Sequence, residues 1–272
     1  MVKIHNCKRE RCKVIMFWII IFLVIAGFLA GLLQSVAGLA SLVSYPALLI
    51  VGVPPVIANV TNTTALIFSG IGSLISSSKE LKGHWKKLSF FIVLSLIGSV
   101  GGSYLLLHLP SASFEKVVPF FIFGAGVLLL LSSRKKKAID GSSLAGSKNS
   151  QGTWKLIISA ICIVLVGGYT GYFGAAGGVL FLAILSAITD EEFHIVNAMK
   201  NVITFVGNLT ATCIFIFKSH IAWHYVIPMG IGLLAGGYVG PIIVRHVNIH
   251  LLRILIAFAA FGLAAYLLLA AY

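Results

Sequence analysis

The sequence predicts an all-α polytopic membrane protein with two homologous halves, about eight transmembrane helices and two re-entrant half-helices. Three observations predict this fold class. The mean hydropathy is +1.04 and only 10% of the residues are charged, which excludes a water-soluble globular domain. The apolar residues form long blocks of about the length that crosses a bilayer, roughly 20 residues. The pattern of the first half of the chain recurs in the second half.

The charges lie between the apolar blocks. The formal charge of +13 comes from clusters of Lys and Arg in the connections, as the positive-inside rule produces, and nucleic acid is therefore excluded as a partner. All seven acidic residues lie at block ends or in connections. The blocks offer no carboxylate for a cation site or a proton relay. Their glycine, hydroxyl and amide groups favour an anion as the ligand.

Ten apolar segments follow one another along the chain. The eight long segments run approximately over 14–33, 56–78, 88–108, 113–133, 155–173, 195–217, 222–244 and 249–271. The two short segments, 36–51 and 177–188, each follow a glycine-containing break. The first long segment exceeds the apolar core of a signal peptide, ~7–15 residues, so we interpret it as a retained transmembrane helix.

A polar linker rich in Ser and Gly, 134–153, divides the chain. It separates a first membrane repeat with a basic N-terminal tail, 1–133, from a second membrane repeat, 154–272. Three landmarks recur in the same order. The matched pairs are Gly31–Gly38 with Gly171–Gly178, Ala58–Asn62 with Asn197–Asn201, and Gly101–Tyr104 with Gly236–Tyr238. Such a duplication is usual in secondary transporters.

The distribution of Lys and Arg favours one topology. If the two short segments re-enter, the N-terminal tail, 79–87, 134–155 and Lys218 all face the cytoplasm and carry sixteen of the twenty Lys and Arg residues. If all ten segments span instead, 79–87 and the run of basic residues at 134–137 face outward. We therefore predict that both termini are cytoplasmic and that the halves share one orientation. An inverted repeat of five plus five spans is the alternative.

The glycine-containing breaks are candidate elements of a substrate site. Non-helical backbone at membrane depth is tolerated only where protein buries it or water reaches it. A half-helix beginning at such a break directs unpaired N–H groups and the positive end of its dipole inward. Two such ends that converge near the midplane would bind an anion. The alternative, that glycine merely permits close helix packing, fits one break better than two matched breaks.

Polar side chains follow each short segment. Asn197, Lys200 and Asn201 share one helical face because they are spaced by three and four residues. A lysine within a span costs about 2.5–3.5 kcal/mol on insertion scales, and by default it indicates a functional site. The alternative for Lys200 is snorkelling to the membrane interface. The candidate substrate-binding residues are Gln34, Ser35, Gly38, Thr61, Asn62, Gly174, Gly177, Gly178, Asn197, Lys200 and Asn201.

Two parts of the chain resemble the signatures of the TauE/SafE family of sulfite-exporter-like permeases. The first signature is similar to Gly31–Gly38, Tyr45–Leu49, Gly52–Pro55 and Ala58–Asn62, and the second is similar to Gly171–Gly178 with Asn197–Asn201. The resemblance covers nearly the whole chain. It implies a transporter of the bacterial cytoplasmic membrane that moves small sulfur-containing or organic anions, such as sulfite or sulfonates, commonly outward.

Three functions remain open from the sequence. The first is a secondary anion transporter that works by alternating access, with the two halves moving about a central site. The second is an anion channel or passive pore, whose lining would look the same. The third is a membrane-embedded enzyme, for which the scattered histidines and loop carboxylates provide no catalytic constellation. No cofactor, catalytic residue or metal site is predicted. The expected partners are a small anionic substrate and the lipid bilayer, with a homodimer as an open alternative.

Overall fold

The structure, a computed structural model, describes residues 2–109, 153–173, 177–189 and 191–244, with isolated positions between 120 and 127 and between 258 and 269. These residues are all-helical, as predicted. The helices are α1 (Val2–Ala37), α2 (Ser41–Ile50), α3 (Pro55–Ser76), α4 (Trp85–His108), α5 (Thr153–Tyr172), α6 (Gly177–Ile188), α7 (Phe193–Lys218) and α8 (Trp223–Val244). The predicted segments 113–133 and 249–271 and the linker 134–153 lie almost entirely outside the described residues.

Four stretches among the described helices are long and apolar enough to cross a membrane. They are Val14–Ala37, Trp85–His108, Phe193–Lys218 and Trp223–Ile242. Large apolar side chains such as Phe17, Ile97 and Ile231 are exposed on their outer faces. Exposed apolar surface of this extent indicates contact with lipid rather than with water. The predicted count of eight spans with two re-entrant segments is not confirmed.

Glycine and proline set the ends of the short helix α2. Gly38, directly after α1, has φ +74°, and Gly52, two residues after the end of α2, has φ +88°. This left-handed region suits glycine because other residues meet a steric penalty there. Pro55 is the first residue of α3, where its missing N–H costs no helical hydrogen bond. The break that follows α1 is thus encoded by a residue that ends a helix.

Helices α1, α3 and α8 pack closely and run in the same direction. Gly27 lies against the backbone of Met229, and Gly31, one turn later, lies against the backbone of Leu233, so that neither glycine has room for a Cβ atom. Along α3, Thr61 meets the start of α8, because its Oγ1 accepts a hydrogen bond from the Ala222 N–H. Gly72 lies further along α3 and meets the backbone of Leu234, further along α8.

Helices α4, α5 and α7 form a second parallel group. Gly98 of α4 lies against Val164 and Gly168 of α5, and Gly102 lies against Gly168 and the following turn. Glu191, just before α7, bonds to the start of α4. Further along both helices, the Ser99 hydroxyl of α4 donates to the Gly207 carbonyl of α7 at 3.1 Å.

The two parallel groups run in opposite directions. Between α3 and α7, Thr64 contacts Thr212 at 3.5 Å, whereas Gly70 lies against Phe205, so the residue numbers rise along one helix as they fall along the other. Helices α1 and α5, which begin the two repeats, are therefore antiparallel. Helix α3 also follows α1 in direction, so α2 returns the chain toward the side from which α1 came. These directions contradict the expectation that the two halves share one orientation. That expectation was wrong because it used only the Lys and Arg residues of the connections, which do not determine how the helices pack.

Buried apolar side chains form two separate cores. The first core draws mainly on α1, α2, α3 and α8, with residues such as Leu23 and Met229. The second draws mainly on α4, α5, α6 and α7, with residues such as Leu88 and Met199. We call these helix groups the first bundle and the second bundle, and the surface between them the seam. Each bundle combines helices from both halves of the sequence.

Within the second bundle, Glu191 ties the start of α7 to the start of α4. Its Oε1 accepts from Lys87 Nζ at 2.9 Å and lies 3.3 Å from His84 Nδ1. The hydrogen bond from Lys87, followed by the charges of His84 and Lys87, holds the pKa of Glu191 below its ordinary value of 4.5. A carboxylate whose pKa is lowered in the folded state stabilises that state above the ordinary pKa, and the effect is lost as the pH falls.

We therefore expect Glu191→Gln to lower the melting temperature at pH 7. The difference from the parent protein should shrink as the pH falls below 4.5, the ordinary value for this carboxyl group. Thermal unfolding in detergent across this pH range measures the difference. Glu192→Gln is the matched control, because the Glu192 side chain is largely exposed and its contact is with His194, two residues further along the chain. An equal difference at all pH values would contradict the assigned pairing.

Candidate functional site

The two breaks meet in the interior of the protein. Gly38, after α1, and Gly178, in the first turn of α6, are in backbone contact, and a Cβ atom on either would collide with the Cα atom of the other. A small cavity beside Gly178 is lined by Leu66 and Thr204, which lie near the middle of α3 and α7. The contact is therefore near half depth of the long helices. Gly174 lies outside the described residues.

Lys200 is fully buried at this contact. Its Nζ donates to the carbonyl oxygens of Gln34 at 2.8 Å and Ser35 at 3.3 Å. These carbonyls belong to the last turn of α1, at the negative end of the helix dipole, where a cation is favoured. The side chain thus turns into the protein, and it does not snorkel to an interface.

Two asparagines make matching bonds across the seam. Asn197 Nδ2 on α7 donates to the Ser35 carbonyl near the end of α1 at 2.9 Å. Asn59 Nδ2 on α3 donates to the Tyr172 carbonyl at the end of α5, also at 2.9 Å. In each bundle, an asparagine of a long helix therefore donates a hydrogen bond to a carbonyl at the end of a helix in the other bundle. That second helix is the one that precedes the glycine-containing break. Such carbonyls have no partner within their own helix.

Asn201 has hydrogen-bonding capacity that the described residues do not use. Its side chain is 2% exposed, and neither its Nδ2 nor its Oδ1 has a partner among the described residues. An unsatisfied buried polar group costs about 1–3 kcal/mol. The Oδ1 atoms of Asn59 and Asn197 are buried and unpaired in the same way. Uncompensated polar groups in this position are suited to contact a bound molecule.

A small cavity lies beside these residues. It is lined by Gln34, Leu66, Thr170, Gly178, Thr204 and Asn208. Its volume is about 10 Å³, enough for about one water molecule. Gln34 Nε2 donates to Thr204 Oγ1 at 3.3 Å across the seam. Among the described residues, the polar centre is therefore closed at this cavity, which is too small for an oxyanion.

Other candidates face the interior of the first bundle instead of the seam. Asn62 bonds to Ser41 and Ser44 of α2, and Thr61 bonds to the start of α8. The Ser35 hydroxyl lies 2.7 Å from that of Ser73, so only its backbone carbonyl reaches the seam. Among the described candidates, the structure brings together Gln34, Gly38, Gly177, Gly178, Asn197 and Lys200. Asn201 follows Asn197 by about one turn on the same face of α7.

Sequence reasoning missed Thr204 and Asn208. They follow Asn201 at spacings of three and seven residues on α7, so they share its helical face. Extending the polar face of Asn197 and Asn201 by two turns would have found both. Thr170 gave no comparable signal, because it lies among apolar and glycine residues near the end of α5.

A helical membrane fold with broken helices that meet at a buried polar centre is typical of membrane transporters. The family described as Sulfite exporter TauE/SafE matches residues 23–267. The chain belongs to this family of membrane transporters, as the resemblance of its two signatures predicted.

Curated relatives carry names of the same kind. A probable membrane transporter protein of Haemophilus influenzae is 24% identical, with 88% of this chain and 90% of the relative covered. The probable membrane transporter protein ORF9 of a Sinorhizobium species is 24% identical, with 93% of each chain covered. The probable membrane transporter protein YfcA of Escherichia coli is 22% identical, with 88% of this chain and 86% of the relative covered. No solved structure matches the chain.

Proposed function

We propose that this protein is a secondary transporter of small sulfur-containing or organic anions, that it works by alternating access, and that it exports its substrate across the bacterial cell membrane. The observation that carries the proposal is the meeting of Gly38 and Gly178 beside the buried Lys200 and the amide of Asn201, which has no partner among the described residues. Backbone N–H groups at the start of α6, an ammonium group and a free amide are donors that suit an oxyanion.

Lys200 supports an anion as the substrate even though its ammonium group contacts carbonyl oxygens. A carboxylate or sulfur oxyanion bound beside Asn201 would compete with the Gln34 and Ser35 carbonyls for that ammonium group. Hydrogen bonds between ionised partners are roughly twice as strong as neutral ones. The substrate would therefore draw Lys200 away from α1.

The closed centre supports a carrier over a passive pore. A pore needs a continuous wet path, whereas the backbone contact of Gly38 and Gly178 fills the space between the two breaks. The antiparallel directions of α1 and α5 further support the alternative of an inverted repeat of five plus five spans. Both termini then lie on the same side of the membrane, and their cytoplasmic location stays a prediction.

Counterflow in proteoliposomes tests the proposed function. Vesicles loaded with unlabelled sulfite should accumulate external ³⁵S-sulfite transiently, and the initial rate should saturate. Parallel assays with thiosulfate, a sulfonate and a small carboxylate define the preferred anion. Flux that rises linearly with concentration and shows no counterflow would favour a pore, and no flux of any of these anions would contradict the proposal.

We expect Asn201→Leu to reduce counterflow by at least 10-fold while leaving the melting temperature equal or higher. Removing a buried amide that has no partner among the described residues relieves an unfavourable free energy of about 1–3 kcal/mol, whereas the substrate loses its hydrogen bonds. Asn62→Leu is the matched control on α3, because Asn62 is equally buried but bonded to Ser41 and Ser44. It should lower the melting temperature. A clear drop in stability for Asn201→Leu would show a structural role instead.

A further inference from the structure

The helices of each bundle are locked to one another at the backbone. A Cβ atom on Gly31 of α1 would meet the Leu233 carbonyl of α8, and one on Gly102 of α4 would meet the Gly168 carbonyl of α5. Interiors packed at this distance resist sliding because backbone atoms would collide. Helix α8 belongs to the second half of the sequence and α4 to the first. The two sequence halves therefore cannot separate without breaking these contacts.

The seam between the bundles is joined mainly by side chains. Gly38 and Gly178 touch across it through their backbones, whereas the other close contacts of a glycine with a backbone among the described residues lie within single bundles. Asn59, Asn197 and Lys200 bond across it to end carbonyls, and Gln34 bonds across it to Thr204. By contrast, the Ser35–Ser73 and Ser99–Gly207 bonds lie within single bundles. Apolar side chains also cross the seam. The first core includes Leu106, Phe173 and Phe215 of the second bundle, and the rings of Tyr45 and Phe173 pack edge to face with centroids 5.3 Å apart. Side-chain contacts of these kinds can exchange partners, whereas backbone contacts repeated along a helix cannot.

We infer that the bodies that move against each other are the two bundles and not the two sequence halves, and that Lys200 is the positioning residue that ties them together. This inference rests on the proposed function, since it names the moving parts of that transporter. The first bundle carries the end of α1 and the second carries Lys200 with the start of α6. Movement along the seam would open the polar centre, whereas the glycine contacts within each bundle would stay in place.

Distances between spin labels in lipid nanodiscs test the inference without any anion. A cysteine-free background replaces Cys7, Cys12, Cys162 and Cys213. Labels at Ile75 on α3 and Ile158 on α5 span the seam, whereas labels at Trp85 on α4 and Ile158 lie within the second bundle. All three side chains are exposed. Both pairs join the first half of the sequence to the second, so the design separates bundles from halves.

Lys200→Met removes the tie and should shift or broaden the Ile75–Ile158 distance distribution by several ångströms, while the Trp85–Ile158 distribution stays unchanged. Lys218→Met, an exposed substitution on the same helix, should change neither. If Lys200→Met does not yield folded protein, Asn59→Ala removes the other end of the seam and Ser73→Ala is its control within a bundle. A change in both pairs would assign the movement to the sequence halves. No change in either would also overturn the inference.

Counterflow by the same cysteine-free protein decides the proposed function separately. Transport with an unchanged Ile75–Ile158 distribution would leave the transporter standing and end the bundle inference. A shift of that distribution without transport of any tested anion would keep the bundle movement and contradict the proposed function.

Discussion

Replacement of Lys200 by Met is expected to reduce anion counterflow by about 10- to 100-fold, because a hydrogen bond to a charged group contributes about 1.5–3 kcal/mol. It should also lower the melting temperature. The Gln34 and Ser35 carbonyls lose a buried donor, which costs about 1–3 kcal/mol. For a protein of this size that corresponds to a few degrees, at roughly 2–4 °C per kcal/mol. The sequence position alone suggests an effect on transport without an effect on stability.

Two controls separate charge from position. Lys218→Met removes an exposed lysine from the end of α7 and should affect neither quantity. Lys200→Arg keeps the charge but changes the donor geometry, so it should retain more stability than Lys200→Met and only part of the transport rate. Parental counterflow by Lys200→Met, measured at equal reconstitution, would make Lys200 a structural cap of α1 and nothing more.

Substitution at the meeting point of the two breaks is expected to have the second large effect. Gly38→Ala forces a side chain into a backbone with φ +74°, at a cost of about 1–2 kcal/mol. It also forces a collision with Gly178, and overpacking typically costs a further ~1–3 kcal/mol. Gly178→Ala causes only the collision, without the cost of a left-handed backbone. Counterflow should be lost in both variants because the end of α1 and the beginning of α6 are pushed apart.

Gly52→Ala isolates the backbone term. Gly52 has φ +88°, but a Cβ atom there would meet nothing within 4 Å. Gly52→Ala should lower the melting temperature modestly and leave counterflow unchanged, whereas Gly178→Ala should abolish counterflow. Thermal unfolding and counterflow of the three variants, side by side, measure this order. Parental transport by Gly178→Ala would mean that the contact is not part of the transport cycle.

Much of the fold follows from the sequence because hydropathy and glycine act locally. The apolar blocks predict α3, α4, α7 and α8 to within three residues at each end, since lipid imposes helix on any long apolar run. Gly38 marks the end of α1 because a helix cannot continue through a left-handed residue. The direction of one helix against another is not local. It depends on which glycine faces which backbone, as Gly31 and Leu233 do.

The candidate site was predicted in part for the same reason. Lys200 stands out because a buried cation is costly, and its helical spacing also indicates Asn197 and Asn201. Asn62 occupies the position in the first repeat that matches Asn201, yet its partners are Ser41 and Ser44 within its own bundle. A repeated pattern specifies a helical face, but the partner of that face depends on how the bundles assemble. The pairing of Asn59 with Tyr172 could not be predicted for that reason.

The most direct test of the central claim uses selenite, a heavier analogue of sulfite whose selenium scatters X-rays anomalously. Crystals of the protein grown with selenite should give an anomalous peak at the seam, within hydrogen-bonding distance of the Asn201 amide, the Lys200 ammonium group or the first N–H groups of α6. A selenite peak elsewhere, in a protein that transports selenite, would contradict the account.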